Sequence, residues 1–160
     1  MKADLQKEHE WLKQFVGEWT MLAEMPMGPD KPIEKHAGTE RSRLIGGAWV
    51  ICEGTGEMPG GGTAQSIMTL GYDPAKQRFV GTFLASVMTH LWVYNGTLDA
   101  AGKVLTLDTE GPDFGTPGKM AKYQDIIEFK SHDHRVMSSQ VLGDDGKWTQ
   151  IMTANYQRTK

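Results

Sequence analysis

Long apolar runs, basic tracts and cysteine pairs are missing from this chain, and each absence closes off a class of protein. No apolar run is long enough to cross a bilayer as a helix, so a membrane partner is not expected. Met1–Glu10 has no apolar stretch resembling a secretion signal. The single cysteine, Cys52, cannot form an internal disulfide, which points to a reducing, cytoplasmic setting. Net charge is −3 with no basic cluster, so a nucleic-acid partner is not expected either. Catalytic signatures are also missing: there is no Gly-x-Ser-x-Gly elbow and no His-Glu-x-x-His. Gly60-Gly61-Gly62-Thr63 lacks the lysine and helix of a phosphate loop. Asn95-Gly96-Thr97 matches a glycosylation acceptor, which has no meaning without secretion. His132-Asp133-His134 lacks the further ligands of a metal site and reads as a solvated turn, so no metal is assigned. Cys52, mid-strand with no neighbouring base, reads as packing.

What is present is turn chemistry. Nineteen glycines, with recurring Gly/Pro clusters, leave room for one convincing helix and favour an all-β body. The helix is placed at Asp4–Val16, with Leu5, Trp11, Leu12 and Phe15 on one stripe, Asp4 as N-cap and Gly17 as the stop. About ten strands follow, near Glu18–Met25, Ile33–Ile45, Ala48–Glu57, Ala64–Tyr72, Gln77–Ala85, Leu91–Leu98, Val104–Glu110, Met120–Lys130, Arg135–Leu142 and Lys147–Arg158. No domain break interrupts residues 1–160. The predicted fold is a single antiparallel up-and-down β-barrel over 17–160, with the helix at 4–16 covering one end.

In such a meander, alternate connections lie at the same end. One set is tight: Gly46-Gly47, Asp73–Lys76, Asp99–Gly102 and Ser131–His134. The other is mostly longer and rich in Gly, Pro and Met: Pro26–Pro32, Met58–Thr63, Ser86–His90, Gly111–Gly118 and Gly143–Gly146. The barrel therefore has a closed end beneath the helix and an open mouth. Alternation puts Trp19, Met21, Ala23 and Met25 on the inward face of the first strand. It puts Trp148, Met152, Ala154, Tyr156 and Arg158 on that of the last. If the two strands pair, Trp19 meets Arg158 at the closed end as a cation–π contact.

The Gly-x-Trp opening and the late arginine resemble calycin-type barrels: lipocalins, fatty-acid-binding proteins and nitrobindin-like haem barrels. Ten strands suit the latter two better than the eight of lipocalins. More closely, the chain resembles DUF1579, a family of uncharacterised, mostly bacterial proteins. The resemblance is carried by Phe15-Val16-Gly17-Glu18-Trp19, Leu44-Ile45-Gly46-Gly47, Gly71-Tyr72-Asp73-Pro74 with Phe79-Val80-Gly81-Thr82, Asn95-Gly96-Thr97-Leu98 and Tyr156-Gln157-Arg158. It implies a lipocalin-like barrel and no assigned activity. In the nitrobindin-like barrels the resemblance would place the haem-ligating histidine late in the chain. Here the late histidines, His132 and His134, fall in a closed-end turn, which counts against haem.

Near the mouth, strand parity gathers Met25, Phe83, Trp92, Phe114 and Trp148 as apolar contacts for a small, largely apolar ligand. His36, His90, Tyr94, Tyr123, Asp125 and Gln150 would orient its polar head. In a haem-binding barrel, His90, beside Met88 and Trp92, would be the candidate axial ligand. Asp125 shares parity with Tyr123, Ile127 and Phe129 and needs a partner if buried, with Arg41, Arg43 and His36 as candidates. Glu53, in step with Trp49 and Ile51, raises the same question. Binding without catalysis is the leading expectation. One alternative is an isomerase or hydrolase using Asp125 or Glu53 with His36 or His90. The other is a filled barrel whose Met/Pro loops, Met25–Pro32 and Met58–Gly62, dock a partner or pair two copies as a homodimer.

Overall fold

The computed structural model describes residues 1–58 and 60–160. Pro59, in the Met58–Gly62 loop expected to dock a partner, lies outside the described residues. The chain begins with α1 (Lys7–Leu12) and a 3₁₀ turn (Lys13–Phe15). Ten strands follow: β1 (Gly17–Met25), β2 (Glu34–Ile45), β3 (Trp49–Glu57), β4 (Thr63–Asp73), β5 (Arg78–Ala85), β6 (Trp92–Leu98), β7 (Val104–Pro112), β8 (Met120–Ser131), β9 (His134–Leu142) and β10 (Trp148–Arg158). Each strand pairs antiparallel with its neighbours in sequence, and β10 closes on β1. This is the up-and-down barrel the turn pattern predicts.

The two ends differ as the loops imply. At one end the connections run two to five residues, and at the other five to eight. Gly46 and Gly102 take positive φ in two of the tight turns, a conformation that glycine adopts without steric cost. The helix lies over this closed end. Trp11 Nε1 donates to the Gly102 carbonyl at 2.7 Å. The buried His9 bridges two elements: its Nδ1 accepts from the Gln6 N–H at 2.8 Å, and its Nε2 donates to the Tyr72 carbonyl at 3.0 Å. The bond from the Gln6 N–H to the His9 ring goes with Gln6 as the N-cap in place of Asp4, and the helix starts later than its apolar stripe implies. Leu5 therefore precedes the helix and reaches toward the β2–β3 turn, where a Cβ on Gly47 would sit 2.5 Å from Leu5 Cδ1.

The closed half of the barrel is filled. Leu12 and Phe15 descend from the helix onto Val50, Cys52, Leu70, Phe79, Leu105, Leu107 and Ile127. Trp11 meets Phe15, Phe79 and Phe129 edge-on, with centroids 5.6–5.9 Å apart. Cys52 is 2 % exposed, and burial pushes its thiol up to about 12, so it packs as a neutral side chain.

The closure seam carries the predicted clasp and adds to it. Trp19 pairs with Arg158 across β1 and β10, and the Arg158 guanidinium lies 4.2 Å from the indole centroid. Arg158 also donates to the carbonyls of Val16 and, at 2.7 Å, Gln14, which ties the end of the helical segment to β10. Gly17 leaves room for this, since a Cβ there would sit 2.5 Å from Arg158 Nη1. A second guanidinium, missed by the sequence reading, belongs to the buried Arg135. It lies 4.4 Å from the Trp19 ring and 4.0 Å from that of Tyr156, and it pairs with Glu40. Trp19 itself is 1 % exposed, with Nε1 donating to the Phe15 carbonyl at 2.9 Å.

Trp19→Ala is expected to lower unfolding free energy by about 3–5 kcal/mol, the usual cost of deleting a buried aromatic. Urea unfolding against the parent chain measures it, and a loss below about 1 kcal/mol would contradict the structural role given to this residue.

Candidate functional site

The open half is hollow. Above the packed residues lies a cavity of about 510 Å³ facing the long loops. Six of the ten methionines line it: Met21, Met25, Met68, Met88, Met137 and Met152. Unbranched thioether chains can repack around differing shapes, so the wall is adaptable. Phe83, Trp92, Phe114 and Tyr123 supply the aromatic surface. Trp92 is held edge-on to His90 at 4.8 Å and to Tyr123 at 5.1 Å, with its Nε1 donating to Met88 Sδ at 2.9 Å.

One polar cluster interrupts this lining. Asp125 points inward, as its alternation with Tyr123 and Ile127 requires. Its Oδ2 accepts from Tyr94 Oη at 2.5 Å and its Oδ1 from Ser139 Oγ at 2.6 Å. Desolvation raises the Asp125 pKa, and the two hydrogen bonds only partly oppose this. Burial, with Asp125 beside it, also holds Tyr94 well above the usual phenol range, so Tyr94 remains a donor. Thr109, inward on β7 and 7 % exposed, has a buried hydroxyl with no hydrogen-bond partner.

Of the eleven residues singled out from sequence, the cavity gathers seven: Met25, Phe83, Trp92, Tyr94, Phe114, Tyr123 and Asp125. The other four lie elsewhere. Trp148 and Gln150 are turned outward by a β-bulge: Gln150 pairs with Gln140, but Met152 pairs with Ser139, so the extra residue Ile151 resets the alternation. Trp148 consequently lines an outer groove with Leu91, Val93 and Met120. His36 faces inward but lies beside Glu34, with Nε2 3.3 Å from Oε2. His90 is taken up by the barrel wall. The β6–β7 ladder is registered only from Leu98–Leu105 to Asn95–Asp108, and nearer the mouth His90 Nε2 donates to the Glu110 carbonyl at 2.9 Å. A side chain thus satisfies a backbone acceptor where the two strands separate.

The proposed partners of Asp125 also need correction. Arg41 and Arg43 lie on the outer face of β2, bonded to Glu18 at 2.8 Å and Glu53 at 3.3 Å. Glu53 is therefore an outer residue of β3, while its neighbours Val50 and Cys52 face in. Neither His90 nor the late pair His132 and His134 suits haem. His90 Nε2 is committed to the wall, His132 lies in the exposed β8–β9 turn, and His134 is bonded to Asn155 Oδ1 at 2.8 Å. Among the described residues, no group of three or more His, Cys, Asp or Glu is placed to hold a metal ion. Ser139 and Thr109 were legible in principle, by alternation with Met137 on β9 and Leu107 on β7. Small hydroxyl residues in strands carry no chemical signal of their own.

A closed ten-stranded antiparallel barrel, plugged at one end and hollow at the other, belongs to the lipocalin-like class. Residues 4–158 match the family described as "Protein of unknown function (DUF1579)", and the chain belongs to that family. Solved structures share the fold at low identity. Rv2717c from M. tuberculosis is 13 % identical, with a TM-score of 0.65 over 98 % of this chain and 100 % of that one. The S-type phycobiliprotein lyase CPES from Guillardia theta is 16 % identical, with a TM-score of 0.59 over 99 % of each chain. A barrel solved bound to DFHBI, EF1p2_mFAP2b, is 14 % identical, with a TM-score of 0.51 over 94 % and 98 %. No curated protein matches the chain. Among the described residues, no helix is long and apolar enough to cross a membrane.

The raised Asp125 pKa sets a pH dependence. A folded-state pKa above the unfolded value means that the contribution of the proton to stability is complete below the ordinary carboxylate range, near pH 4, and is lost as pH rises through the folded value. Asp125→Asn removes this titration. The stability of the parent chain relative to Asp125→Asn is therefore expected to fall as pH rises from about 4 toward neutrality. Urea unfolding of both proteins across that range measures it, and a constant difference would contradict a desolvated Asp125.

Proposed function

We propose that the protein binds a small, largely apolar molecule inside the barrel, reached through the long-loop end, without catalysing its conversion. The observation that carries this reading is the 510 Å³ cavity, whose wall is mostly apolar and whose one charged group, Asp125, sits in a compact cluster with Tyr94 and Ser139. That volume falls within the range of small-ligand pockets, and one compact polar cluster in an apolar wall is the arrangement that fixes a ligand's orientation. The packing divides in the same sense, because the helix and its aromatic contacts fill only the closed half. The fold neighbours are compatible: one is a phycobiliprotein lyase and another was solved with DFHBI bound. Acid–base chemistry with histidine finds less support, since the hydrogen bonds of Asp125 go to Tyr94 and Ser139, and Glu53 lies outside with Arg43.

Native mass spectrometry of gently purified protein, followed by titration with the neutral fluorophore Nile red, tests the proposal. One equivalent of blue-shifted dye, or a co-purified small molecule of defined mass, is expected. Ser66→Trp places an indole at a cavity-lining position on β4 and should weaken dye binding at least tenfold while the protein stays folded. Equal binding by a folded Ser66→Trp protein would place the dye outside the barrel and overturn the reading.

A further inference from the structure

We infer that the cavity selects a neutral or cationic apolar molecule bearing an N–H or O–H donor, and rejects apolar carboxylates. The inference rests on the internal binding site proposed above and concerns which chemistry that site accepts.

Three observations carry it. First, the charged and basic side chains of the cavity are one-sided. Asp125 lines it, whereas among the described residues no lysine, arginine or histidine does. The nearby basic groups already face acids, aromatic rings or backbone: Arg135 lies at the closed end against Trp19 and Tyr156 and pairs with Glu40, although its buried Nη1 has no hydrogen-bond partner, Arg158 is bonded to backbone carbonyls of the helical segment, and His36 lies beside Glu34. A carboxylate ligand would therefore enter an apolar space with no cation to meet it and an acidic group already there, which is unfavourable for either charge.

Second, Asp125 has acceptor capacity to spare. A carboxylate offers about four lone-pair sites. Two are filled, one on each oxygen, by Tyr94 and Ser139. A ligand donor would complete the set, and a cationic one would also offset the burial of the charge.

Third, Thr109 lines the cavity, while its hydroxyl is turned into the wall, closed off from the open space and without a partner. Buried polar groups are nearly always satisfied, so an unpaired one has reason to change partner, and rotation of the Thr109 side chain to another staggered rotamer would turn its hydroxyl toward a bound molecule. Leu107 pairs with Asp125 and Thr109 with Tyr123, so Thr109 lies one inward position nearer the mouth than Asp125, on the adjacent strand. A hydroxyl, amine or amide group at that point of the wall has Asp125 as a partner, and Thr109 as a second once its side chain rotates.

A matched naphthalene series tests this: 2-naphthylmethylamine, 2-naphthylmethanol and 2-naphthylacetate, each displacing Nile red at pH 7. The amine and the alcohol are expected to bind at least tenfold more tightly than the acid, and the amine more tightly than the alcohol. In Asp125→Asn the advantage of the amine over the alcohol should shrink to within about threefold, the scatter expected when no specific contact distinguishes them. Thr109→Val offers a second readout that does not depend on that variant folding. Removing an unpaired buried hydroxyl should leave apo stability unchanged or raised, while alcohol binding weakens severalfold. Acid binding equal to that of the amine overturns the inference while Nile red binding keeps the internal site intact. An unchanged ranking in a folded Asp125→Asn protein, or a Thr109→Val protein that is destabilised with ligand binding unaffected, also overturns it. If neither Nile red nor any naphthalene binds, the internal site fails and the selectivity fails with it.

Discussion

Closure of β1 on β10 is the constraint from which the rest of the structure follows. A barrel has no edge strands, so every backbone donor and acceptor in the wall can find a neighbour only if the first and last strands meet in register. Their contact is built from side chains as well as the ladder. The Trp19 indole receives two guanidiniums, one from the last strand and one from β9, and Arg158 reaches on to the carbonyls that end the helical segment. Sheet closure, the entry of the helix and the packing of the closed end thus share one group of residues.

Closure at ten strands also sets how much interior must be filled. Eight strands enclose a space that side chains alone can occupy, and more strands enclose more. Here the surplus is divided unequally. The helix and its aromatic contacts fill the half beneath them, and the longer loops leave the other half hollow. The methionines suit that half because they line a space without committing to one shape. The wall itself loosens in the same region. The registered β6–β7 pairs stop at Asn95–Asp108, and His90 takes over the Glu110 carbonyl beyond them.

The architecture could be read from sequence because it depends on turn chemistry and alternation, which are local. Gly46-Gly47 and Asp99–Gly102 mark tight turns without any tertiary information, and Trp19, Ala23 and Asp125 face inward as period-two alternation requires. The site was legible only where alternation continued unbroken. One extra residue, Ile151, reverses the faces of Trp148 and Gln150, and nothing in its identity signals a bulge. Partners were harder still. Arg41 and Arg43 are plausible companions for a buried acid by charge, yet their alternation puts them outside, bonded to Glu18 and Glu53. The groups that do meet Asp125 come from β6 and β9, and hydroxyl residues in strands give no warning of such a contact. Arg135 is hidden for a related reason: a buried arginine is legible only once Glu40 and the faces of Trp19 and Tyr156 are known to converge on it.

The two ends differ in electrostatics as well as in packing. Both inward arginines lie at the closed end, where aromatic faces, Glu40 and backbone carbonyls receive their charge. The cavity keeps a single acid, and desolvation favours its proton. An arginine facing the hollow half would tend to ionise Asp125 and would supply the cation that an anionic guest requires. Holding the cations on the seam keeps that field out of the cavity wall. On the ligand-binding reading proposed above, the residues that close the barrel would also help define which molecules the open half accepts, although none of them need touch a ligand.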